Sequence, residues 1–199
     1  MKRETSKQLN IMDLKQLNAP VDVKDIDFRV QSINKGKYAT ILAYKDARYD
    51  MNVLDAVVGP GNWQKDYRTI DGRLYCRVGI NVSEDPTRPP LWVWKEDVGT
   101  ESNTEAEKGQ ASDSFKRACF NWGIGRELYD FPVISVKLND DEVNEVGGRM
   151  KASWNLKIRD WTWASKRGKD GKLIQLAAKD QNGRLRFNWK SEDFETAKA

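Results

Sequence analysis

The sequence of 199 residues contains no histidine and only two cysteines. Without histidine the chain cannot form a Ser-His-Asp triad, a Cys-His pair, a histidine general base or most kinds of zinc site. Cys76 and Cys119 both lie in apolar patterns, and we expect them to be buried thiols of a reducing cytoplasm rather than a disulfide framework. These absences disfavour catalysis and indicate a binding protein.

Long apolar segments and nucleotide-binding motifs are also missing. The longest stretch without a charged residue is the nine residues from Ala56 to Gln64, which is too short to span a bilayer. No apolar segment follows the charges of the N-terminus, so no secretory signal is predicted. The run Gly168–Lys172 lacks the spacing and the hydroxyl residue of a P-loop. We therefore expect a cytoplasmic protein with no membrane contact, no cofactor and no ATP-driven activity.

The charge of the chain is unevenly distributed. The net charge is +4, yet residues 151–190 alone hold eleven basic and three acidic side chains. The rest of the chain is therefore slightly acidic. Such a basic stretch is typical of proteins that bind a polyanion, because phosphate neutralisation dominates that affinity. A solvated polar face on a small β module is the alternative.

Turn residues and apolar periodicity predict strands and helices in a defined order. The predicted elements are strands 27–33 and 38–44, helix 46–58, a hairpin around Asp71-Gly72, strand 91–98 and a helix from Thr104 to Trp122. The long helix opens with a capping box formed by Thr104 and Glu107. Its apolar stripe is predicted to face the core and consists of Ala111, Phe115, Ala118, Cys119 and Trp122.

The hairpin around Asp71-Gly72 is predicted to have one apolar and one basic face. A type I′ turn there pairs Arg68 with Tyr75 and Asp66 with Arg77. The basic face then carries four candidate DNA-binding residues: Arg68, Arg73, Tyr75 and Arg77. For Arg77, an ion pair with Asp66 across the strands is the alternative to a phosphate contact.

The long helix supplies further basic candidates. Lys108 and Lys116 share a face away from the apolar stripe, and Arg117 lies beyond Lys116. On a helix such residues are more often solvated than functional, and Arg117 has a possible partner four residues earlier in Asp113.

The chain beyond this helix is predicted to contain an acidic linker and a basic β module. Asn182-Gly183 indicates a second type I′ hairpin in the module. Trp154, Trp161 and Trp163 lie among basic residues upstream of it. Aromatic and basic side chains together suit single-stranded nucleic acid, whose bases stack on rings. The alternative is that these tryptophans fill the core of a small sheet.

Three separate blocks of the sequence resemble the Rad52 family of single-strand annealing proteins, in that family's order. They are Ala43–Arg48 (AYKDAR) with Leu54–Trp63 (LDAVVGPGNW), then Trp94–Gly99 (WKEDVG), then Glu105–Ala118 (EAEKGQASDSFKRA) with Trp122–Tyr129 (WGIGRELY). The length of the chain and the amino-acid sequences of the three blocks are similar to those of bacteriophage or prophage recombination proteins of the Sak type.

The resemblance implies an α+β fold with a β-β-β-α core, preceded by a β-hairpin and a helix, whose subunits assemble into a ring or filament. It implies that single-stranded DNA lies in a basic groove, held by its backbone with its bases exposed. The family's inner-site lysine and arginine fall on Lys116 and Arg117, its groove arginine falls on Arg48, and Lys108 matches a basic position early in the long helix.

The predicted division of the chain has five segments. They are an N-terminal arm (1–24), an annealing and oligomerisation core (25–135), an acidic linker (136–149), a basic Trp-rich β module (150–190) and a tail (191–199).

The leading hypothesis is an ATP-independent protein that anneals complementary single strands during homologous recombination. Its expected partners are single-stranded DNA, further copies of itself, and a phage exonuclease or a single-strand DNA-binding protein. Two rivals remain open. One is a protein that only protects single strands, and the other is a metal-dependent nuclease that uses Glu96, Asp97 and the acidic linker.

Overall fold

The computed structural model describes residues 13–83, 85, 87–100 and 106–195, with the backbone alone at 106–108. In chain order the strands and α-helices are β1 (Asp27–Ile33), β2 (Tyr38–Tyr44), α1 (Ala47–Val57), β3 (Trp63–Ile70), β4 (Arg73–Asn81), β5 (Trp92–Val98), α2 (Ala106–Trp122), β6 (Ile134–Lys137), β7 (Val143–Val146), β8 (Arg149–Ala152), β9 (Thr162–Arg167), β10 (Leu173–Lys179) and β11 (Leu185–Lys190). The predicted strands and helices before residue 123 are confirmed within two residues. The predicted capping box involves Thr104 and lies outside the described residues.

The chain forms two compact units. The first, the helical unit, contains the residues up to Ala19 together with Ala47–Arg126. The second, the strand unit, contains Pro20–Asp46 and the residues from Glu127 onward. None of the helices in the described part of the chain has the length and apolarity needed to cross a membrane. The fold is of the mixed α+β type.

The helical unit is an antiparallel sheet in the order β3-β4-β5 with α2 packed on one face. The turn between β3 and β4 has positive φ at Asp71 (50°) and Gly72 (74°), as a type I′ turn requires. The register pairs Arg68 with Tyr75 and Asp66 with Arg77, as predicted. Buried side chains of β4 and α2 form the core between sheet and helix: Cys76, Val78, Ile80, Phe115, Ala118 and Cys119.

Both cysteines are free and buried in this core. Burial raises the pKa of the Cys76 thiol to about 11. The thiol is therefore neutral at pH 7 and packs as a small apolar group.

Gly99 fixes the approach of the end of β5 to α2. A Cβ at this position would lie 2.8 Å from the backbone nitrogen of Ser114 and closer still to the carbonyl oxygen of Gln110. We expect Gly99→Ala to lower the free energy of unfolding by about 3 kcal/mol, because helix backbone cannot move aside as a flexible side chain can. Urea denaturation measures the loss. Gly61→Ala is the matched control, since an added Cβ there meets no atom within 4 Å. Equal losses for the two variants would contradict this account.

The strand unit contains three small antiparallel sheets: β1-β2-β6, β7-β8 and β9-β10-β11. Two partly buried arginines join distant parts of its chain. Arg167 donates two hydrogen bonds to Glu127 and one to the carbonyl oxygen of Val21. Arg186 donates to both carboxylate oxygens of Glu142, each at 2.7 Å, and its Nη1 lies 3.5 Å from Asp180.

The structure corrects three expectations from the sequence. Residues 136–149, predicted as a linker, instead hold the end of β6, a 3-10 turn and most of the β7-β8 hairpin, with Glu142 buried. The described part of the predicted N-terminal arm is anchored, because Leu17 and Val21 are 1% exposed. The turn before β11 is not type I′: the N–H of Gly183 donates to the carbonyl of Asp180, and in this turn only Gly183 has positive φ.

Candidate nucleic-acid interface

All eight predicted DNA-binding residues belong to the helical unit, but its sheet separates seven of them into two sets. Successive residues of a strand point to opposite faces. Because Cys76 and Val78 face α2, the residue between them, Arg77, lies on the opposite face together with Arg68, Arg73 and Tyr75. We call these four residues the outer set. Lys108, Lys116 and Arg117 lie on α2, so the outer set does not form one wall with them.

Acidic neighbours neutralise two arginines of the outer set. Arg77 donates two hydrogen bonds to Asp66, at 2.7 and 3.0 Å, and Arg68 pairs with Glu96. The ion pair predicted as the alternative for Arg77 is therefore present. Hydrogen bonds from Arg77 and from the N–H of Tyr67 lower the pKa of Asp66 below its ordinary value.

The same face of the sheet holds an aromatic surface. The guanidinium of Arg77 lies 4.5 Å from the ring centroid of Trp94, and the ring centroids of Trp92 and Trp94 are 6.2 Å apart. Gly79 leaves the space that the Trp94 ring occupies, because an added Cβ would be 2.8 Å from that ring. Arg73 and Tyr75 lie nearer the hairpin turn, and Arg73 forms no ion pair within the described part of the chain.

The two basic residues of α2 differ in their partners. Nε of Arg117 lies 3.3 Å from Oδ1 of Asp97 on β5. Asp113, the partner weighed for Arg117 from the sequence, instead accepts hydrogen bonds from the N–H and the hydroxyl of Thr100. Lys116 is turned about 100° from Arg117 around the helix axis and forms no ion pair among residues 13–83, 85, 87–100 and 106–195.

Lys65 was missed by the sequence reasoning. Its ammonium lies 4.6 Å from the ring centroid of Phe115, the residue before Lys116, and 5.9 Å from that of Tyr67. Lys65 is exposed on the edge strand β3. The signal was its alternation with Trp63 and Tyr67, which places it on the face of the sheet that α2 covers. Lys65 and Lys116 are the cations that we call the helix-side pair.

The other predicted basic residues lie at the ends of the helices. Arg48 is exposed in the first turn of α1. Lys108 lies in the first turn of α2, where only the backbone is described.

Lys95, on β5, donates to the carbonyl oxygen of Asn121 at 2.8 Å and so stabilises the last turn of α2.

The arrangement of the acidic residues disfavours the nuclease hypothesis. Glu96 and Asp97 are neighbours on β5 and therefore point to opposite faces of the sheet. Each is also paired with an arginine, Glu96 with Arg68 and Asp97 with Arg117. Within the described residues, no three acidic or cysteine side chains gather in a way that could hold a metal ion.

Comparison with known proteins shows the family to which the chain belongs. A family model described as "Rad52/22 family double-strand break repair protein" matches residues 11–146. The chain is 34% identical over 121 residues to the "Single-stranded DNA-binding protein DdrA" of Deinococcus radiodurans, covering 59% of this chain and 55% of that protein. It is 32% identical over 143 residues to the protein of the same name from Deinococcus deserti, covering 70% and 68%. The chain thus spans just over half the length of the first relative. The sheet β9-β10-β11 lies outside the family match.

Proposed function

Because the chain belongs to the Rad52/22 family of double-strand break repair proteins, we propose that it binds single-stranded DNA and anneals complementary strands without ATP. One observation carries the proposal: the family region places Lys116 on α2 with no carboxylate to neutralise it among the described residues. Two relatives named as single-stranded DNA-binding proteins support it. Annealing breaks no covalent bond, which suits a chain without histidine or a P-loop.

The proposed mode of binding is through phosphates. The helix-side pair, Lys65 and Lys116, offers two ammonium groups to a sugar–phosphate backbone, with Arg117 on the same helix as Lys116. Lysine contacts to phosphate release counterions and carry no sequence information. Bases held only through their backbone stay free to pair, and neutralised phosphates let a second strand approach.

We also propose that the protein works as a homo-oligomer, as a ring or a filament. The support is β3, one of the two edge strands of its sheet, in which every residue after Trp63 is exposed. A long exposed edge strand offers unpaired backbone groups to another chain. Size-exclusion chromatography with light scattering would give a mass several times that of one chain, and a monomer would contradict this part of the proposal.

The biological role that we propose is recombination and repair. Strands made single by an exonuclease would be bound and paired by this protein, with a single-strand DNA-binding protein as a second possible partner. The two relatives come from Deinococcus species, so an origin in a bacteriophage stays a prediction.

Mixing two complementary oligonucleotides tests the function. One strand carries a fluorophore and the other a quencher, and pairing is followed without ATP or divalent metal. We expect the protein to speed pairing well above the spontaneous rate. A protein that only protects single strands would slow pairing, and that result would overturn the annealing proposal while leaving DNA binding intact.

A further inference from the structure

Among the described residues of the strand unit, Trp154 is the large apolar side chain with the greatest exposure, at 89%. The other two tryptophans of its region behave differently, since Trp161 is 6% exposed and Trp163 stacks on Phe28 with ring centroids 3.7 Å apart. Trp161 is thus buried and Trp163 packs against an aromatic neighbour, which for these two favours the alternative of a packing role. Trp154 is not packed in this way, so its exposure needs another explanation.

The exposure of Trp154 does not arise from a loose segment. The N–H of Leu156 donates to the carbonyl of Ser153 and closes a turn around Trp154. Ser153 Oγ and Asn155 Nδ2 both donate to the carbonyl oxygen of Asp141, at 2.5 and 3.2 Å. The residues on both sides of Trp154 are therefore fixed, and the indole is held in solvent by an ordered turn.

Trp154 lines a cleft of about 490 Å³ whose other residues come from β1, from the same turn and from the segment after it. This size lies within the range of ligand sites. Three exposed cations line the cleft: Arg29, Lys157 and Arg159. Asp160 is the one acidic residue of its lining. Within the described residues none of the three cations forms an ion pair, although Arg29 lies over the Tyr44 ring at 5.2 Å.

A second cavity, of about 340 Å³, shares Phe28, Ile158 and Arg159 with this cleft. It adds the rings of Tyr44, Trp161 and Trp163 and the cation of Lys24, with Asp27 as its acidic lining residue. The indole Nε1 of Trp163 is buried without a hydrogen-bond partner among the described residues. The two cavities together form a concave, aromatic and predominantly cationic surface.

We call this surface, formed by both cavities, the Trp154 cleft. We propose that it is a binding site for unpaired nucleotides of single-stranded DNA. One base would stack on Trp154, and the phosphates of the strand would lie near Arg29, Lys157 and Arg159. Aromatic rings beside unpaired cations are the combination that holds single strands. The inference rests on the proposed function, but the site lies in the strand unit and differs from the helix-side pair, which holds phosphates. A membrane surface is less suitable, because the cations line a concavity and do not flank a protruding apolar face.

Stacking on Trp154 requires a base that is free of its complement. The Trp154 cleft would therefore bind a strand before annealing and lose it when the duplex forms. This gives the protein a preference for single over double strands, which phosphate contacts alone do not provide.

The site is tested by measuring the affinity of the wild-type protein and of the variants Trp154→Ala and Trp154→Phe for two oligonucleotides. One is oligothymidylate, and the other has the same length with abasic residues, so the phosphates are kept and the bases are lost. We expect Trp154→Ala to weaken the binding of oligothymidylate about tenfold and to leave the binding of the abasic oligonucleotide unchanged. Trp154→Phe, which keeps an aromatic ring, should restore most of the lost affinity. Val133→Ala is the matched control, since Val133 is 81% exposed in the same unit.

The outcomes of this experiment are distinguishable. If the wild-type chain ignores both oligonucleotides, the proposed function itself fails. If it binds oligothymidylate and Trp154→Ala binds equally well, the Trp154 cleft is not a DNA site. Equal losses on both oligonucleotides would mean that Trp154 acts through structure and not through stacking. If the protein binds anionic vesicles with an affinity that depends on Trp154, and the variants bind DNA as the wild type does, the surface is a membrane site. That result would overturn the proposal.

Discussion

Replacing Arg186 by methionine should lower the free energy of unfolding by about 3 kcal/mol at pH 7, because it leaves a buried carboxylate without its cation. Arg186 and Glu142 have side chains that are each 9% exposed, and that of Asp180 is 5% exposed. Arg186 also lies 4.6 Å from the ring centroid of Trp161. Urea denaturation followed by tryptophan fluorescence measures the loss.

The loss should also depend on pH. Burial by itself would raise the pKa of Glu142, but hydrogen bonds from Arg186 and from the N–H of Asn139 outweigh it and hold that pKa below its ordinary value. A carboxyl with a lowered pKa contributes stability above its unfolded pKa, about 4.3, and this contribution is lost as pH falls through the folded pKa. In Arg186→Met the carboxylate of Glu142 is buried without its cation, so protonation of this carboxylate removes the cost of the buried charge. The difference between variant and wild type should therefore shrink as pH falls from 7 towards about 4.

Two further variants define this result. Arg184→Met is the matched control, because Arg184 is exposed and precedes the same strand. Arg186→Met combined with Glu142→Gln should recover part of the stability, since the buried charge is removed. If Arg184→Met and Arg186→Met cost the same at every pH, the buried cluster does not stabilise the strand unit.

The second large effect is expected on DNA binding. Lys116→Ala should weaken binding of single-stranded DNA about tenfold near 100 mM salt, because one charge-assisted contact to phosphate is lost at each subunit. The loss should be the same for every base composition. Fluorescence anisotropy with labelled oligonucleotides, between about 50 and about 200 mM salt, gives the affinity and its salt dependence.

The salt dependence separates a phosphate contact from a folding defect. For one contact, the slope of log K against log salt should fall in magnitude by about 0.7, and Lys65→Ala should do the same. Lys172→Ala is the matched control, since it removes the same charge from an exposed turn of the strand unit, where Lys172 pairs with Asp170. An unchanged slope in a folded Lys116→Ala variant would remove Lys116 from the DNA contact.

The sequence predicted local structure where turns and periodicity are decisive. The Asp71-Gly72 turn, the register of β3 on β4 and the apolar stripe of α2 follow from residues that are near in sequence. The strand unit depends on contacts between residues far apart in sequence: β6 pairs with β2, and Arg186 binds Glu142 from 44 positions away. An acidic run such as 136–149 looks like a linker until its distant cation is known.

The candidate site shows the same division. Charge and resemblance predicted Lys116 and Arg117 as DNA contacts. Alternation along β4, together with the pairing of β3 on β4, predicted that the outer set shares one face. Which cations are neutralised could not be predicted, because Arg117 pairs with Asp97 from β5 and not with Asp113 from its own helix. The exposure of Trp154 was equally hidden, since its neighbours Trp161 and Trp163 have similar sequence surroundings but face the core.

The claim that DNA is held by its backbone is tested most directly by an oligonucleotide with an uncharged methylphosphonate backbone. Its bases and length match those of an ordinary phosphodiester strand, and the affinity of the wild-type protein for both is measured at low salt. We predict tight binding of the charged strand, irrespective of base composition, and a loss of at least about a hundredfold for the uncharged strand. Equal affinity for the two strands would contradict the central claim.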